Sequence, residues 1–112
     1  MDATRVAEYR QRLEAELEAL DAEDALGAAG QKTVELDQTS VGRLSRMDAL
    51  QGQAMAKATS ARRAARRQRI AAAFHRMDEG EFGYCTDCGE EIAPARVDLD
   101  PTVPNCIGCA AG

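Results

Sequence analysis

Four cysteines, Cys85, Cys88, Cys106 and Cys109, stand in the pattern C-x2-C-x17-C-x2-C and confine the C-terminal part of the chain to few possible folds. A two-residue gap lets both sulfurs of a pair turn toward one centre, and Gly89, directly after the second cysteine, permits the positive φ that tight thiolate knuckles use. Four thiolates at about 2.3 Å from one ion make a closed tetrahedral Zn2+ site, with no position left for water, which is a structural geometry. The rival arrangement is a pair of disulfides, open to three pairings. The N-terminus, Met1-Asp2-Ala3-Thr4-Arg5, lacks the apolar run of an export signal. The expected compartment is therefore a reducing cytoplasm, which favours the metal.

A metal also answers a shortage of core. Of 112 residues 22 are Ala, while Leu, Ile, Val and Phe together number only 18, below the usual level for a packed domain. A large core is excluded, so stability has to come from long Ala-rich helices, cross-links or a metal. Structural zinc contributes on the order of 10 kcal/mol to folding, and the block at 80–112, with Pro94, Pro101 and Pro104, has little else to fold on. No stretch approaches the roughly 18 apolar residues of a membrane span.

Ahead of the cysteines the pattern is helical. Val6, Tyr9, Leu13, Leu17 and Leu20 form a narrow apolar stripe that predicts a helix over about 4–26 and demands a partner along it. Gly27-Ala28-Ala29-Gly30 interrupts the pattern, so about 27–40 is expected to be a loop or tip, with Asp37, Thr39 and Ser40 as candidate N-caps. From about 41 to 79 there is no Pro and one interior Gly52, and a long helix is expected, outrunning the first. Paired antiparallel, the two helices make a coiled-coil hairpin. The stripe of Ile70, Phe74 and Met77 is left to pack on the C-terminal block. The fold class is thus mostly α, a two-helix antiparallel coiled-coil hairpin (1–79) followed by a small C4 zinc finger (80–112).

Charge falls into three blocks of alternating sign. Residues 1–40 carry 4 basic and 10 acidic side chains, 41–79 carry 9 and 3, and 80–112 carry 1 and 6. The first two blocks attract each other. In the third, Arg96 is the one basic side chain and a tetrathiolate zinc centre adds a formal −2, so sequence-specific DNA binding by the finger is not expected. An enzyme is the least favoured class, because the zinc is closed, the chain has one histidine, and no nucleophile and base pair presents itself. That histidine, His75, precedes the first cysteine by ten residues on the helical stretch and reads as a surface or packing residue.

The run Gly80-Glu-Phe-Gly-Tyr-Cys85-Thr-Asp-Cys88-Gly-Glu-Glu-Ile-Ala-Pro-Ala-Arg96, followed by Pro101 and Cys106-Ile-Gly-Cys109, closely resembles the C-terminal zinc finger of the DksA/TraR family. A long helix entering the finger, preceded by another, also resembles that family's coiled-coil hairpin on a zinc base. The resemblance implies a bacterial transcription regulator that binds RNA polymerase rather than promoter DNA, its hairpin entering the secondary channel, often together with ppGpp. In that family fully active members carry D-x-x-D-x-A at the tip, and this chain has none. Its nearest approaches are Asp21-Ala-Glu-Asp24-Ala25, and Asp37 and Asp48-Ala49 beside the presumed bend. The tip residues offered to a partner are Asp37, Arg43, Arg46 and Asp48, with Glu35, Gln38 and Ser40. An alternative role is a zinc-stabilised adaptor or dimerising protein without the tip activity.

Arg62, Arg63, Arg66, Arg67 and Arg69 place five guanidinium groups within two turns. They suit an anionic partner such as nucleic acid, an acidic polymerase patch or ppGpp, or else they pair with the acidic first helix. Spaced over more than one face, they cannot all be used within the hairpin.

Overall fold

The computed structural model describes residues 1–37 and 43–111, and the side-chain surroundings of 1–27 and 46–111. Four helices follow in order, α1 (Ala3–Asp37), α2 (Arg43–Asp78), α3 (Pro94–Leu99) and α4 (Ile107–Ala111). The molecule measures 59 × 30 × 20 Å, the shape of a rod with a thickened end.

Helix α1 starts where Asp2 caps it, with the Arg5 amide donating to Asp2 Oδ1 at 2.8 Å, an oxygen acceptor satisfying one of the free amides of the first turn. It does not end near residue 26. The helix continues through Gly27-Ala28-Ala29-Gly30 to Asp37, so the loop expected over 27–40 is not a loop for most of its length. Each Gly costs about 1 kcal/mol against Ala, but no Pro intervenes, and extending a helix already nucleated and packed on a neighbour costs far less than starting one. Gly27 also lies in the interface, where an added Cβ would come within 3.5 Å of Arg63 Nη2.

Helix α2 covers the expected stretch and, at 36 residues against 35, does not outrun α1. It stops at a Schellman motif. Gly80 adopts φ 75°, its amide donates to the Met77 carbonyl at 3.2 Å, and the Glu81 amide donates to the Arg76 carbonyl at 2.8 Å. The left-handed position admits glycine without a Cβ penalty and turns the chain out of the helix into the finger.

Ion pairs between the long helices show that they run antiparallel, because Arg10 meets Asp78, Glu16 meets Arg66, Asp21 meets Arg67, and Asp24 meets Arg63. The core sits at the base, where Tyr9, Leu13, Ile70, Ala73 and Met77 of the hairpin bury against Phe82, Ile92 and Val97 of the finger. Leu13 and Ile70 are wholly enclosed, each contributing about 1.5–3 kcal/mol by leaving water. The finger thus packs on both helices, not on the end of α2 alone. Tyr9 and Phe82 rings meet at 5.7 Å between centroids, and Tyr9 Oη donates to Asp98. Burial first, then that carboxylate, raises the Tyr9 pKa.

Candidate metal centre and charged surfaces

The finger begins with two glycines and a short antiparallel bridge. Tyr84 pairs with Glu91, the Ile92 amide donates to the Gly83 carbonyl at 2.8 Å, and the Cys85 amide donates to the Glu90 carbonyl at 2.8 Å. Gly83 and Gly89 take φ 90° and 74°, which folds Cys85-Thr86-Asp87-Cys88 into a knuckle with its sulfurs on one side. Pro94 sits at the start of α3, suited to its fixed φ. The second pair flanks the start of α4, and the Thr86 amide ties the two halves by donating to the Pro104 carbonyl at 2.9 Å.

The sulfurs of Cys85, Cys88, Cys106 and Cys109 all lie within 4.8 Å of one another. Cys88 and Cys106 sulfurs are 3.7 Å apart, close to the edge of about 3.8 Å that a tetrahedron with bonds of about 2.3 Å requires and far beyond a disulfide bond of about 2.05 Å. All four cysteines are free. Amide hydrogen bonds from Cys106 and Cys88 draw the Cys85 thiol down to about 6, whereas the neighbouring sulfurs push Cys109 up to about 12. So close a set of thiolates needs a dication among them, and the donor set and spacing fit one zinc ion whose coordination the protein completes. His75 stands apart, 72 % exposed, with Nε2 3.0 Å from Glu79, the residue that follows α2.

The arginine run divides. Arg66 makes a two-pronged pair with Glu16 at 2.9 and 3.0 Å and also donates to Asp100 at 3.0 Å and Thr102 Oγ1 at 2.8 Å. Arg67 holds Asp21, Asp24 and the Leu20 carbonyl, while Arg63 holds Asp24. Hydrogen bonds from Arg63 and then Arg67 lower the Asp24 pKa. Burial would raise that of Asp100, but bonds from Thr102 and Arg66 outweigh it and leave it lowered. Three of the five arginines offered to a partner are therefore committed to the fold. Arg62 and Arg69 are exposed and make no ion pair among the described residues. Asp21 and Asp24, the nearest approach to the tip motif, are engaged by arginines in mid-helix and lie away from the bend.

At the other end, Asp37 closes α1 and Arg43 opens α2. Arg46 and Asp48 are exposed in the first two turns of α2. Thr39, Gln38 and Ser40 lie outside the described residues. The partnership of Arg66 with Asp100 and Thr102 was not foreseeable from pattern, since the residues are 34 and 36 positions apart. The glycine after α2 was a readable helix-stop signal.

Comparison with known proteins places these features. Residues 80–112 match the family described as prokaryotic dksA/traR C4-type zinc finger. The RNA polymerase-binding transcription factor DksA of Haemophilus influenzae is 43 % identical over 42 residues, 38 % of this chain and 29 % of that protein. Its namesake from Escherichia coli strain K12 is 36 % identical over 42 residues, 38 % of this chain and 28 % of that protein. The matches span less than a third of either relative's length. The structure of transcription factor DksA2 from Pseudomonas aeruginosa superposes with a TM-score of 0.85 at 20 % identity, covering 98 % of this chain and 83 % of that one, and so shares the fold. No helix among the described residues is long and apolar enough to cross a membrane.

Proposed function

We propose that this chain, which carries a dksA/traR-type C4 zinc finger on the fold of DksA2, regulates transcription by binding bacterial RNA polymerase directly through the secondary channel. The observation that carries the reading is the coincidence of the two likenesses, the finger matching proteins named RNA polymerase-binding and the whole chain matching the fold of a transcription factor. A rod 59 Å long and 20–30 Å across is of a shape to enter a channel. Cys85, Cys88, Cys106 and Cys109 would hold one zinc ion whose task is structural, locking the finger to the base of the hairpin. No reacting group is required of the protein, and its place of work would be the cytoplasm beside the polymerase. The finger's acidity argues against DNA as the target.

In this reading Asp37, Arg43, Arg46 and Asp48 flank the bend at the end remote from the metal and meet the polymerase interior. Arg62 and Arg69, exposed along α2, are the arginines left for an acidic polymerase surface or for the phosphates of ppGpp. The test is co-elution of the zinc-loaded chain with core polymerase, followed by initiation assays with and without ppGpp. The native chain is expected to bind and to change initiation, Asp37→Ala with Asp48→Ala to bind but lose most of that change, and Arg62→Glu with Arg69→Glu to bind more weakly. Failure of the native chain to co-elute at micromolar concentration refutes the proposal.

A further inference from the structure

Arg96 is the one basic side chain of residues 80–112, and the fold gives it no carboxylate. It is half-buried, makes no ion pair among the described residues, and donates from Nε to the Asn105 carbonyl at 3.1 Å. That carbonyl belongs to the peptide joining Asn105 to Cys106. The peptide is planar, and like every other described peptide it is not cis. Its C=O and N–H therefore point in opposite directions, and holding the oxygen fixes the aim of the hydrogen. The hydrogen is the Cys106 amide proton, and it is donated to the Cys85 sulfur. Cys85 lies in the first knuckle and Cys106 in the second, so this bond spans the two halves of the site.

Other contacts tie the knuckles as well. Asn105 Nδ2 donates to Asp87 Oδ2 at 2.6 Å, and the Thr86 amide donates to the Pro104 carbonyl at 2.9 Å. Arg96 differs from them because it brings charge. A charged donor makes a bond roughly twice as strong as a neutral one, and it polarises the peptide so that the far N–H becomes a better donor to sulfur. The guanidinium is presented from a fixed base, since Val97 beside it is buried and the Arg96 amide donates to the Ala93 carbonyl at 2.9 Å. Groups that orient and polarise a ligand from behind govern how tightly a metal is held. We propose that Arg96 is a positioning residue for the metal centre: by holding the Asn105 carbonyl it aims the Cys106 amide at the Cys85 sulfur across the two knuckles, and so sets how firmly the zinc ion is kept. The inference rests on the assignment of one zinc ion to the four cysteines and is independent of any polymerase contact.

The experiment uses the full chain, native and Arg96→Met, which keeps an apolar stem and removes both donor and charge. Zinc affinity is measured by competition with a chromogenic chelator, and the amide signals of the zinc-loaded, 15N-labelled proteins are compared by NMR. Arg96→Met is expected to bind zinc about tenfold more weakly. Its Cys106 amide proton is expected to move upfield, as a weakened hydrogen bond requires, while the amides of Ile92 and Val97 in the core stay in place. A role confined to packing leaves the Cys106 signal where it is. Either reading unchanged in a variant that keeps its core overturns the proposal. Arg96→Gln, neutral and able to donate one weaker bond, is expected between native and Arg96→Met on both readings. It decides the matter by itself if methionine unsettles the core, and native-like affinity with a native Cys106 signal in it overturns the proposal. A native chain that takes up no metal overturns the zinc assignment and this inference together, whereas native and variant chains that bind zinc alike overturn this inference alone.

Discussion

Truncating Arg66 to alanine tests whether hairpin and finger are one cooperative unit. The guanidinium joins α1 through Glu16 and the segment after α3 through Asp100 and Thr102, with four hydrogen bonds of 2.8–3.0 Å. Its side chain is 22 % exposed and those of Glu16 and Asp100 are 37 % and 42 %, so water screens the pairs in part. A fully exposed pair contributes at most about 1 kcal/mol and a shielded bond to a charged group about 1.5–3 kcal/mol. Two carboxylate partners at this intermediate exposure, with the buried Thr102 hydroxyl losing its donor, place the cost at about 2–3 kcal/mol. For a chain of this size that lowers the melting temperature by about 10–20 °C. Thermal melts of the zinc-loaded protein read it directly, with Arg62→Ala as the exposed control expected within about 0.5 kcal/mol of native. Arg66→Lys should recover less than half, since one ammonium cannot fork onto a carboxylate and reach a second partner. A cycle with Asp100→Ala should give a coupling above about 0.5 kcal/mol. If Arg66→Ala melts no earlier than Arg62→Ala, or the cycle is additive, the bridge between rod and finger carries no stability and the reasoning fails.

Chelation of the metal should melt residues 80–112 while much of the helical circular dichroism persists, because the long helices also hold each other by Asp21, Asp24, Arg63 and Arg67; a near-native spectrum in the finger after exhaustive metal removal contradicts the site. Asp24 and Asp100 both titrate below the ordinary carboxyl value of 3.8, so the stabilisation they give is fully present above about pH 4 and lost as pH falls through their lower folded values. Melts of native protein and Asp24→Asn, compared from pH 6 downward, should differ most above pH ~4 and converge below it; a difference independent of pH refutes the linkage.

The sequence by itself determined what depends on neighbours along the chain: the knuckle spacing of four cysteines, the long proline-free stretch that becomes α2, and the stripes of Tyr9, Leu13, Ile70 and Met77 that become the core. Tertiary structure decided what depends on distant partners. Gly27 and Gly30 look like a break when judged by local propensity, yet α1 continues through both, and at Gly27 the neighbouring helix is close enough for Arg63 to lie beside it. Five arginines look like one basic surface, yet three are held by Glu16, Asp21, Asp24 and Asp100 and two are left outside, a division set by which turn of α2 faces α1 and the finger. Local spacing carries no information about those pairings. Their energies arise only when the antiparallel register and the angle of the finger bring residues 34–50 positions apart to hydrogen-bond distance.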